Sequence, residues 1–235
     1  MRSYLYVPAA APEKLASALT GGADAIIVDL ENAAAPSTME SARAAVRDWL
    51  CSGPRGNIWV RVNPGEQGHL DARAVVSPAL TGLCVAKTGS ANELAALGTV
   101  VASAEEAQGL PLGHVAVAPV LDTAAAVLAA AEIARAPRVA RLQLGEGNLR
   151  AELGVMPGPD ERELLWVRSM VVLASAAAGI EAPLAAASVE VHDLDALRVS
   201  TIALRRMGFR GRACVDPAQV PVVNEVFTPG AAEPA

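Results

Sequence analysis

Residues 24–32 read DAIIVDLEN, a short apolar run that ends on acidic and amide side chains. Apolar runs that end on, or lead directly into, a polar side chain also occur in NIWVRVN (57–63), LTGLCVAK (80–87), HVAVAPVLD (114–122) and VARLQLG (139–145). Strands that are buried on both faces read as apolar runs, which is typical of parallel sheets covered by helices. The runs therefore predict buried parallel strands whose polar groups gather at their carboxyl ends.

Strand-like and helix-like segments alternate along the whole chain. They give about eight βα units, which predicts a (β/α)8 TIM barrel with its chemistry at the carboxyl ends of the strands. We expect one domain over residues 1–229 and a disordered tail at 230–235. An open doubly wound sheet is the second interpretation, but it predicts a glycine-rich phosphate turn after the first strand. Residues 8–14 form that turn and read PAAAPEK, without glycine, so the barrel is favoured.

The segments between the strands predict helices and loops. Ser37 is the expected N-cap of the second helix, with Glu40 completing a capping box. Residues 65–76 are polar and predict a loop with one helical turn. Residues 148–159 predict another loop, with a helical turn around Arg150 to Leu153. Residues 123–135 are alanine-rich and predict one continuous helix.

Composition and charge exclude several classes of protein. Hydrophobic residues make up 52% of the 235 positions and charged residues 19%, which is enough for a sizeable core and argues against disorder. The formal net charge is -6 and aromatic residues are 3%, so a nucleic-acid partner is not expected. No run approaches the ~18 uninterrupted apolar residues that a membrane helix needs.

The start of the chain and its cysteines indicate a cytoplasmic location. MRSYLYVPAAAPEK (1–14) is not typical of a secretory signal, because its apolar stretch is short and leads directly into predicted structure. Cys51, Cys84 and Cys214 form no CxxC pair. We expect free thiols in a reducing compartment.

Oxygen-bearing side chains follow two consecutive predicted strands. Asp122 ends one run, and Glu146 and Asn148 come directly after the next. Neighbouring strands lie about 4.8 Å apart, so these groups can share one divalent cation such as Mg²⁺. Helix capping by Asp122 and Asn148 is an equally open alternative, since Asp and Asn are common caps.

Three basic residues lie near predicted strand ends. Arg61 can bind a substrate carboxylate through two hydrogen bonds, or it can form a structural ion pair with Asp29 or Glu31. Lys87 can form a Schiff base, neutralise a substrate or pair with Glu31. Lys14 can meet a phosphate at the rim, or it is a solvated surface lysine.

Five motifs occur in an order that resembles the HpcH/HpaI aldolase and citrate lyase beta-subunit family. They are RSYLYVPA (2–9), DAIIVDLEN, the Ala42-Arg43 pair, WVRVN (59–63) and GFRGRACVDPAQVPVVNEVFTP (208–229). The resemblance implies a barrel like the phosphoenolpyruvate/pyruvate domain. It also implies a lyase that acts on a carbon–carbon bond of a CoA thioester, such as citryl-CoA or malyl-CoA, and a homo-oligomer.

The resemblance also implies a Mg²⁺ site, with a Glu after the fifth strand and an Asp after the sixth. Asp122 and Asn148 occupy these positions here, so the pair carries one negative charge instead of two. We expect weakened binding of a hard dication, and Glu146 is the hypothesised compensating ligand. The chain thus resembles a divergent member, shorter at its C-terminal end than members that continue with a further helix.

The substrate residues follow from the same resemblance. Arg61 matches the arginine that holds the oxo-acid carboxylate, and Glu31 matches the Glu of the family's DLED motif and is the first candidate for the base. Lys87 matches a family lysine and, with Lys14, is an expected substrate contact. The expected ligands are a 2-oxo acid and a CoA thioester, and the alternative function is a weakened or inactive protein that binds either of them.

Overall fold

The chain forms a closed (β/α)8 barrel, as its alternating apolar runs and helical segments predict. A computed structural model describes residues 1–32, 38–188 and 191–230. All strand pairs are parallel, and β1 pairs with β8 to complete the ring. The strands are β1 (Ser3–Pro8), β2 (Ala25–Asp29), β3 (Ile58–Val62), β4 (Gly82–Val85), β5 (Ala116–Leu121), β6 (Arg141–Leu144), β7 (Glu181–Ala185) and β8 (Gly211–Cys214).

Helices connect successive strands and cover the outside of the barrel. No helix in the described ranges combines the length and apolar character that a membrane crossing requires. A 3-10 turn, Arg162–Leu164, precedes the eighth helix. The helices are α1 (Pro12–Thr20), α2 (Met39–Cys51), α3 (Gly65–Val75), α4 (Ala91–Ala107), α5 (Ala124–Leu128), α6 (Ala130–Ile133), α7 (Glu146–Leu153), α8 (Leu165–Ala178), α9 (Leu194–Met207) and α10 (Gln219–Phe227).

The prediction of a loop with one helical turn at residues 65–76 is wrong, because helix α3 occupies nearly all of this segment. Gly68, which suggests a loop in the sequence, is required for packing: a Cβ there would lie 2.0 Å from the carbonyl oxygen of Asn63. Asp71 is fully buried, accepting from Asn63 and Arg43. Tertiary contacts thus stabilise helix α3, although its local composition does not predict a helix.

Two further segments differ from the sequence prediction. The helical turn predicted around Arg150 to Leu153 is present, but it belongs to the longer helix α7, which begins at Glu146 and is followed by Gly154 in the left-handed conformation. The single helix predicted at 123–135 is divided into α5 and α6 where Ala129 adopts φ -87 and ψ 5. Ser37 of the expected capping box and residues 231–235 of the expected tail lie outside the described residues.

The barrel separates two apolar layers. Small, aliphatic and aromatic side chains fill the interior, including Ala118, Ile27 and Trp59, while mainly aliphatic side chains fill the space between strands and helices. Gly82 makes room for this interior, since a Cβ there would lie 2.4 Å from the Trp59 ring. Inward-facing residues near the carboxyl ends are polar instead, and this end of the barrel contains the site.

Candidate active site

A cavity of about 490 Å³ opens at the carboxyl ends of the strands. It brings together six of the seven site residues predicted from the sequence. Lys14 is the exception, because it is exposed on α1 and does not line the cavity. The polar lining includes Tyr6, Asp29, Glu31, Arg61, Lys87, Asp122, Gln143, Glu146 and Asn148.

Arg61 points into this cavity from β3. Its Nε and Nη2 donate to the two carboxylate oxygens of Asp29 at 2.8 and 2.5 Å. Its Cζ lies 4.9 Å from the centroid of the Tyr6 ring. Burial opposes the charge, but the hydrogen bond with Asp29 raises the pKa of Arg61 above its usual value. The ion pair that the sequence left open is present, and it fixes the orientation of the arginine at the mouth.

Glu31 bridges two cationic side chains above that pair. Its carboxylate lies 3.2 Å from Nη1 of Arg61 and 2.9 Å from Nζ of Lys87. Lys87 has a φ of 49°, a left-handed conformation that is uncommon for residues other than glycine and that concentrates at functional sites. The hydrogen bond with Glu31 raises the pKa of Lys87, which keeps the amine protonated. This favours ion pairing over Schiff-base formation.

Asp122 and Asn148 form a hydrogen-bonded pair across β5 and α7. Nδ2 of Asn148 donates to Oδ2 of Asp122 at 3.0 Å. Oδ1 of Asp122 is buried and has no hydrogen-bond partner among the described residues. Burial raises the pKa of Asp122, and the hydrogen bond from Asn148 only partly opposes the rise.

The capping interpretation of this pair is wrong. Thr123 is the N-cap of α5, and its side chain accepts from the backbone N–H of Ala126. Asn148 lies inside α7, which begins at Glu146. Both polar side chains of the pair are therefore free of a capping role.

The absence of a side chain at Gly145 allows Asp122 and Asn148 to approach each other. A Cβ at this position would lie 2.5 Å from Cβ of Asp122, closer than real Cβ atoms come, and at a tight 3.0 Å from Cγ1 of Val120. Glycine is thus required where β6 passes into α7, because any side chain would push Asn148 away from Asp122.

Glu146 lines the cavity, but its carboxylate is bound by Arg168 of α8. Nε and Nη2 of Arg168 donate to its two carboxylate oxygens at 2.7 and 2.9 Å, and Nη2 also donates to Glu161 at 2.8 Å. Arg168 is buried on α8. Its pKa is raised by the hydrogen bond with Glu146 against the opposing effect of burial. The role of Glu146 as a metal ligand stays a prediction, and its charge is already balanced by this arginine.

Sequence reasoning missed Tyr6 and Gln143, which also line the cavity. Nε2 of Gln143 donates to the Tyr6 hydroxyl at 2.8 Å. A signal was present: Tyr6 alternates with apolar residues in SYLYVP, and Gln143 does so in RLQL. Period-two polar residues in a buried strand indicate side chains that face the barrel interior.

The charges and oxygen atoms at the mouth fit a bound dication. Arg61 and Lys87 balance Asp29 and Glu31, and Arg168 balances Glu146. Among the described residues, Asp122 is thus the cavity carboxylate without an ion-pair partner, and its Oδ1 lacks a hydrogen bond. Residues 1–32, 38–188 and 191–230 contain no group of three His, Cys, Asp or Glu side chains suited to a metal. Mg²⁺ does not need one, since it commonly takes one or two carboxylates with water and substrate oxygens.

Comparison with known proteins identifies the family. Residues 2–217 match the family model described as HpcH/HpaI aldolase/citrate lyase. The chain belongs to this family. A citrate lyase subunit beta-like protein of Deinococcus radiodurans is 32% identical over 243 aligned residues, which cover 100% of this chain and 82% of that protein. A (3S)-malyl-CoA thioesterase of Cereibacter sphaeroides is also 32% identical, with coverage of 99% and 79%.

Solved structures of the HpcH/HpaI aldolase/citrate lyase family share the barrel. A citrate lyase beta subunit from Mycobacterium tuberculosis, complexed with oxaloacetate and magnesium, matches with a TM-score of 0.78 and 28% identity. The match covers 97% of this chain and 96% of that chain. The family and the fold class predicted from the sequence motifs are therefore both confirmed.

Proposed function

We propose that the protein is a carbon–carbon lyase that acts on the CoA thioester of a hydroxy acid and releases a 2-oxo acid and an acyl-CoA. The observation that carries this proposal is the arrangement of one cavity. Arg61 is held in a fixed orientation, Glu31 lies beside it, and Asp122 presents an unpaired, buried oxygen. Relatives named for citrate lyase and malyl-CoA chemistry support the same class of reaction.

Asp122 and Asn148 are the residues that would hold Mg²⁺. When bound, the ion would act as a Lewis acid on the substrate oxygen that becomes the ketone. The unpaired Oδ1 of Asp122 supports this assignment, since a cation would satisfy it. Glu146 is left out of the proposed ligand set because Arg168 binds both of its oxygens.

Arg61 would bind the carboxylate of the 2-oxo acid. Asp29 accepts from Nε and Nη2, and Nη1 lies 3.2 Å from Glu31, so the second N–H of Nη2 and one N–H of Nη1 would be available to a carboxylate in the cavity that Arg61 lines. A guanidinium that is already oriented loses less entropy on binding a carboxylate. Arg61 thus positions the acid end of the substrate for the reaction.

Glu31 would accept the proton of the substrate hydroxyl. As that proton leaves, the adjacent carbon–carbon bond breaks, the hydroxyl carbon becomes the ketone, and the bonding electrons move onto the acyl-CoA fragment as an enolate. Lys87 and Arg61 hold the Glu31 carboxylate from two sides, which fixes its direction. The enolate would then take this proton from Glu31, which gives the acyl-CoA and restores the Glu31 carboxylate.

A second function has a specific observation in its favour. Asn148 is neutral and donates its amide to Asp122, so the proposed metal pair carries one negative charge. A weakened enzyme, or a protein that binds an oxo acid or CoA ester without turnover, is consistent with that pair. The two functions differ in whether magnesium and substrate stabilise the protein together and whether product forms.

Thermal unfolding with Mg²⁺ and a 2-oxo acid, each alone and together, tests the proposal, with oxaloacetate, pyruvate and 3-hydroxypyruvate each used as the acid. Coupled binding should raise the melting temperature more with both ligands than with the sum of each. Absence of coupling contradicts the lyase proposal and favours the binder. Asn148→Asp restores the second charge, so we expect at least tenfold tighter Mg²⁺ binding and higher lyase activity. Gln108→Glu adds the same charge at the end of α4, on the opposite rim, and should change neither.

A homo-oligomer is also proposed, as a second copy would cover an apolar face of α8. Trp166 and Leu173 are 57% and 64% exposed, and their spacing places them on one face of the helix. Light scattering of the protein and of Trp166→Glu tests this. A monomer of wild type contradicts it, and dissociation of the variant supports it.

A further inference from the structure

Two polar contacts cross the interior of the barrel between strands that are not neighbours. β1 and β6 are separated by β7 and β8 in the ring. Arg141 donates to the Tyr4 hydroxyl at 2.7 Å, and one layer closer to the mouth Gln143 donates to the Tyr6 hydroxyl at 2.8 Å. Only the upper pair, Tyr6 and Gln143, lines the cavity, so it forms part of the cavity floor.

The floor pair, Tyr6 and Gln143, has unused hydrogen-bonding capacity. Gln143 is only 4% exposed, and its Oε1 has no hydrogen-bond partner within the described part of the chain. The Tyr6 oxygen accepts from Nε2, which leaves its own O–H proton to donate elsewhere. The pair therefore offers one donor and one acceptor side by side. Reversing the Gln143 amide leaves the same balance, with Nε2 as the donor and the phenol oxygen as the acceptor.

One donor beside one acceptor is complementary to a hydroxyl group. A hydroxyl can accept from Tyr6 and donate to Gln143 at the same time. A carboxylate offers acceptors only and would face the Gln143 oxygen unfavourably. A methyl group would leave both polar atoms buried without partners, which is the more costly outcome.

The floor pair lies directly beside the proposed substrate anchors. The Tyr6 ring contacts Arg61, with Cζ 4.9 Å from the ring centroid. Gln143 is the register partner of Val120 on β5, two residues before Asp122. A small 2-oxo acid whose carboxylate binds Arg61 and whose oxo group lies toward Asp122 would place its third carbon over this floor.

We propose that Tyr6 and Gln143 form a hydroxyl-binding pair that selects 2-oxo acids carrying a hydroxyl group on the third carbon over those carrying only hydrogen there. This inference rests on the proposed function, because it assumes that Arg61 binds the oxo-acid carboxylate. It assigns substrate specificity to two residues outside the proposed catalytic and metal groups.

The test compares the binding of 3-hydroxypyruvate and pyruvate, with Mg²⁺ present, by calorimetry. We expect the wild-type protein to prefer 3-hydroxypyruvate by about tenfold, the scale of one hydrogen bond gained and one buried acceptor satisfied. Tyr6→Phe and Gln143→Met are close in shape to the native residues, and each should reduce the preference to about twofold or less. Tyr4→Phe removes the corresponding hydroxyl one layer below and should leave the preference unchanged.

Each result has a defined meaning. Equal affinities in the wild-type protein, or a preference that survives in Gln143→Met, would overturn the inference while the proposed function stands. A loss of preference in Tyr4→Phe equal to that in Tyr6→Phe would also overturn it, by showing a general loosening of the barrel. If neither acid binds any folded form, the proposed function fails and this inference fails with it.

Discussion

Arg61 and Asp29 are register partners on β3 and β2, and the guanidinium donates to both oxygens of the carboxylate at 2.8 and 2.5 Å. The pair is largely removed from solvent, with side chains 16% and 11% exposed. Oδ1 of Asp29 also accepts from the backbone N–H groups of Glu31 and Asn32. One carboxylate thus organises both the arginine and the turn that carries Glu31.

Asp29→Asn should therefore lower both stability and oxo-acid affinity. The substitution removes the two-hydrogen-bond partner of a largely buried guanidinium and leaves Glu31, 3.2 Å from Nη1, as its remaining carboxylate, so we expect a loss of about 3 kcal/mol in the free energy of unfolding, measured in urea. Asp48→Asn breaks the exposed pair with Arg47 and should cost less than about 0.5 kcal/mol. Equal losses in the two variants would show that the Arg61 pair contributes no more than a surface contact.

Asp122→Asn should become more stabilising as the pH rises. Burial raises the pKa of Asp122, so the folded protein holds this proton more tightly than the unfolded chain. The resulting stabilisation is complete below the ordinary Asp range, near pH ~3.9, and is lost as the pH rises through the raised pKa. The melting temperature of Asp122→Asn minus that of wild type should accordingly increase from pH 4 to pH 8.

Glu225→Gln is the control of opposite sign for that experiment. The hydrogen bond from Arg198 lowers the pKa of Glu225, so its contribution is present above the ordinary Glu range and is lost on acidification. The variant should lose stability relative to wild type as the pH rises. A difference for Asp122→Asn that follows the same direction would contradict the assignment of Asp122 as a carboxyl group with a raised pKa.

Glu146→Gln should reduce stability more than it changes Mg²⁺ affinity. Arg168 binds both oxygens of Glu146 and is only 4% exposed, so the variant leaves a buried guanidinium partly unpaired. We expect a loss of about 1–3 kcal/mol in the free energy of unfolding and a Mg²⁺ affinity within about twofold of wild type. A tenfold loss of Mg²⁺ affinity would instead make Glu146 the third ligand.

Lys87 should not form a Schiff base with an oxo acid. Its hydrogen bond with Glu31 raises its pKa, and a protonated amine does not attack a carbonyl. Borohydride reduction in the presence of pyruvate should leave the mass of the protein unchanged. The chain has two lysines, Lys14 and Lys87, so any adduct is easily located. Reductive methylation with formaldehyde under the same conditions is the positive control, and an oxo-acid adduct at Lys87 would contradict the expectation.

The ring of strands could be predicted because each strand is a local apolar run closed by polar residues. The ends of individual strands could not be predicted as closely, because an apolar run can extend beyond the residues that pair with the neighbouring strands. The run at 80–87 forms a strand only over Gly82–Val85, since Lys87 already adopts a left-handed conformation. Helix α3 could not be predicted because Gly68 and Asp71 are ordinary loop residues in sequence, and their role depends on contacts with Asn63.

The site was predictable to the extent that its residues end strands or match motifs. Arg61, Glu31, Lys87, Asp122 and Asn148 all reach one cavity, as strand ends in a closed barrel must. Which partners balance each charge could not be read from spacing. Glu146 is matched by Arg168 from α8, 22 residues further along the chain. The pairing of Tyr6 with Gln143 depends on ring closure, which places distant segments opposite each other.

Gly145 has a practical consequence for protein engineering of this chain. The absence of a side chain at Gly145 leaves the space that Asp122 occupies. Randomising this codon should therefore give mostly variants in which Asp122 is displaced. A library should leave that codon fixed and vary Tyr6 and Gln143, which line the cavity and are expected to set its preference.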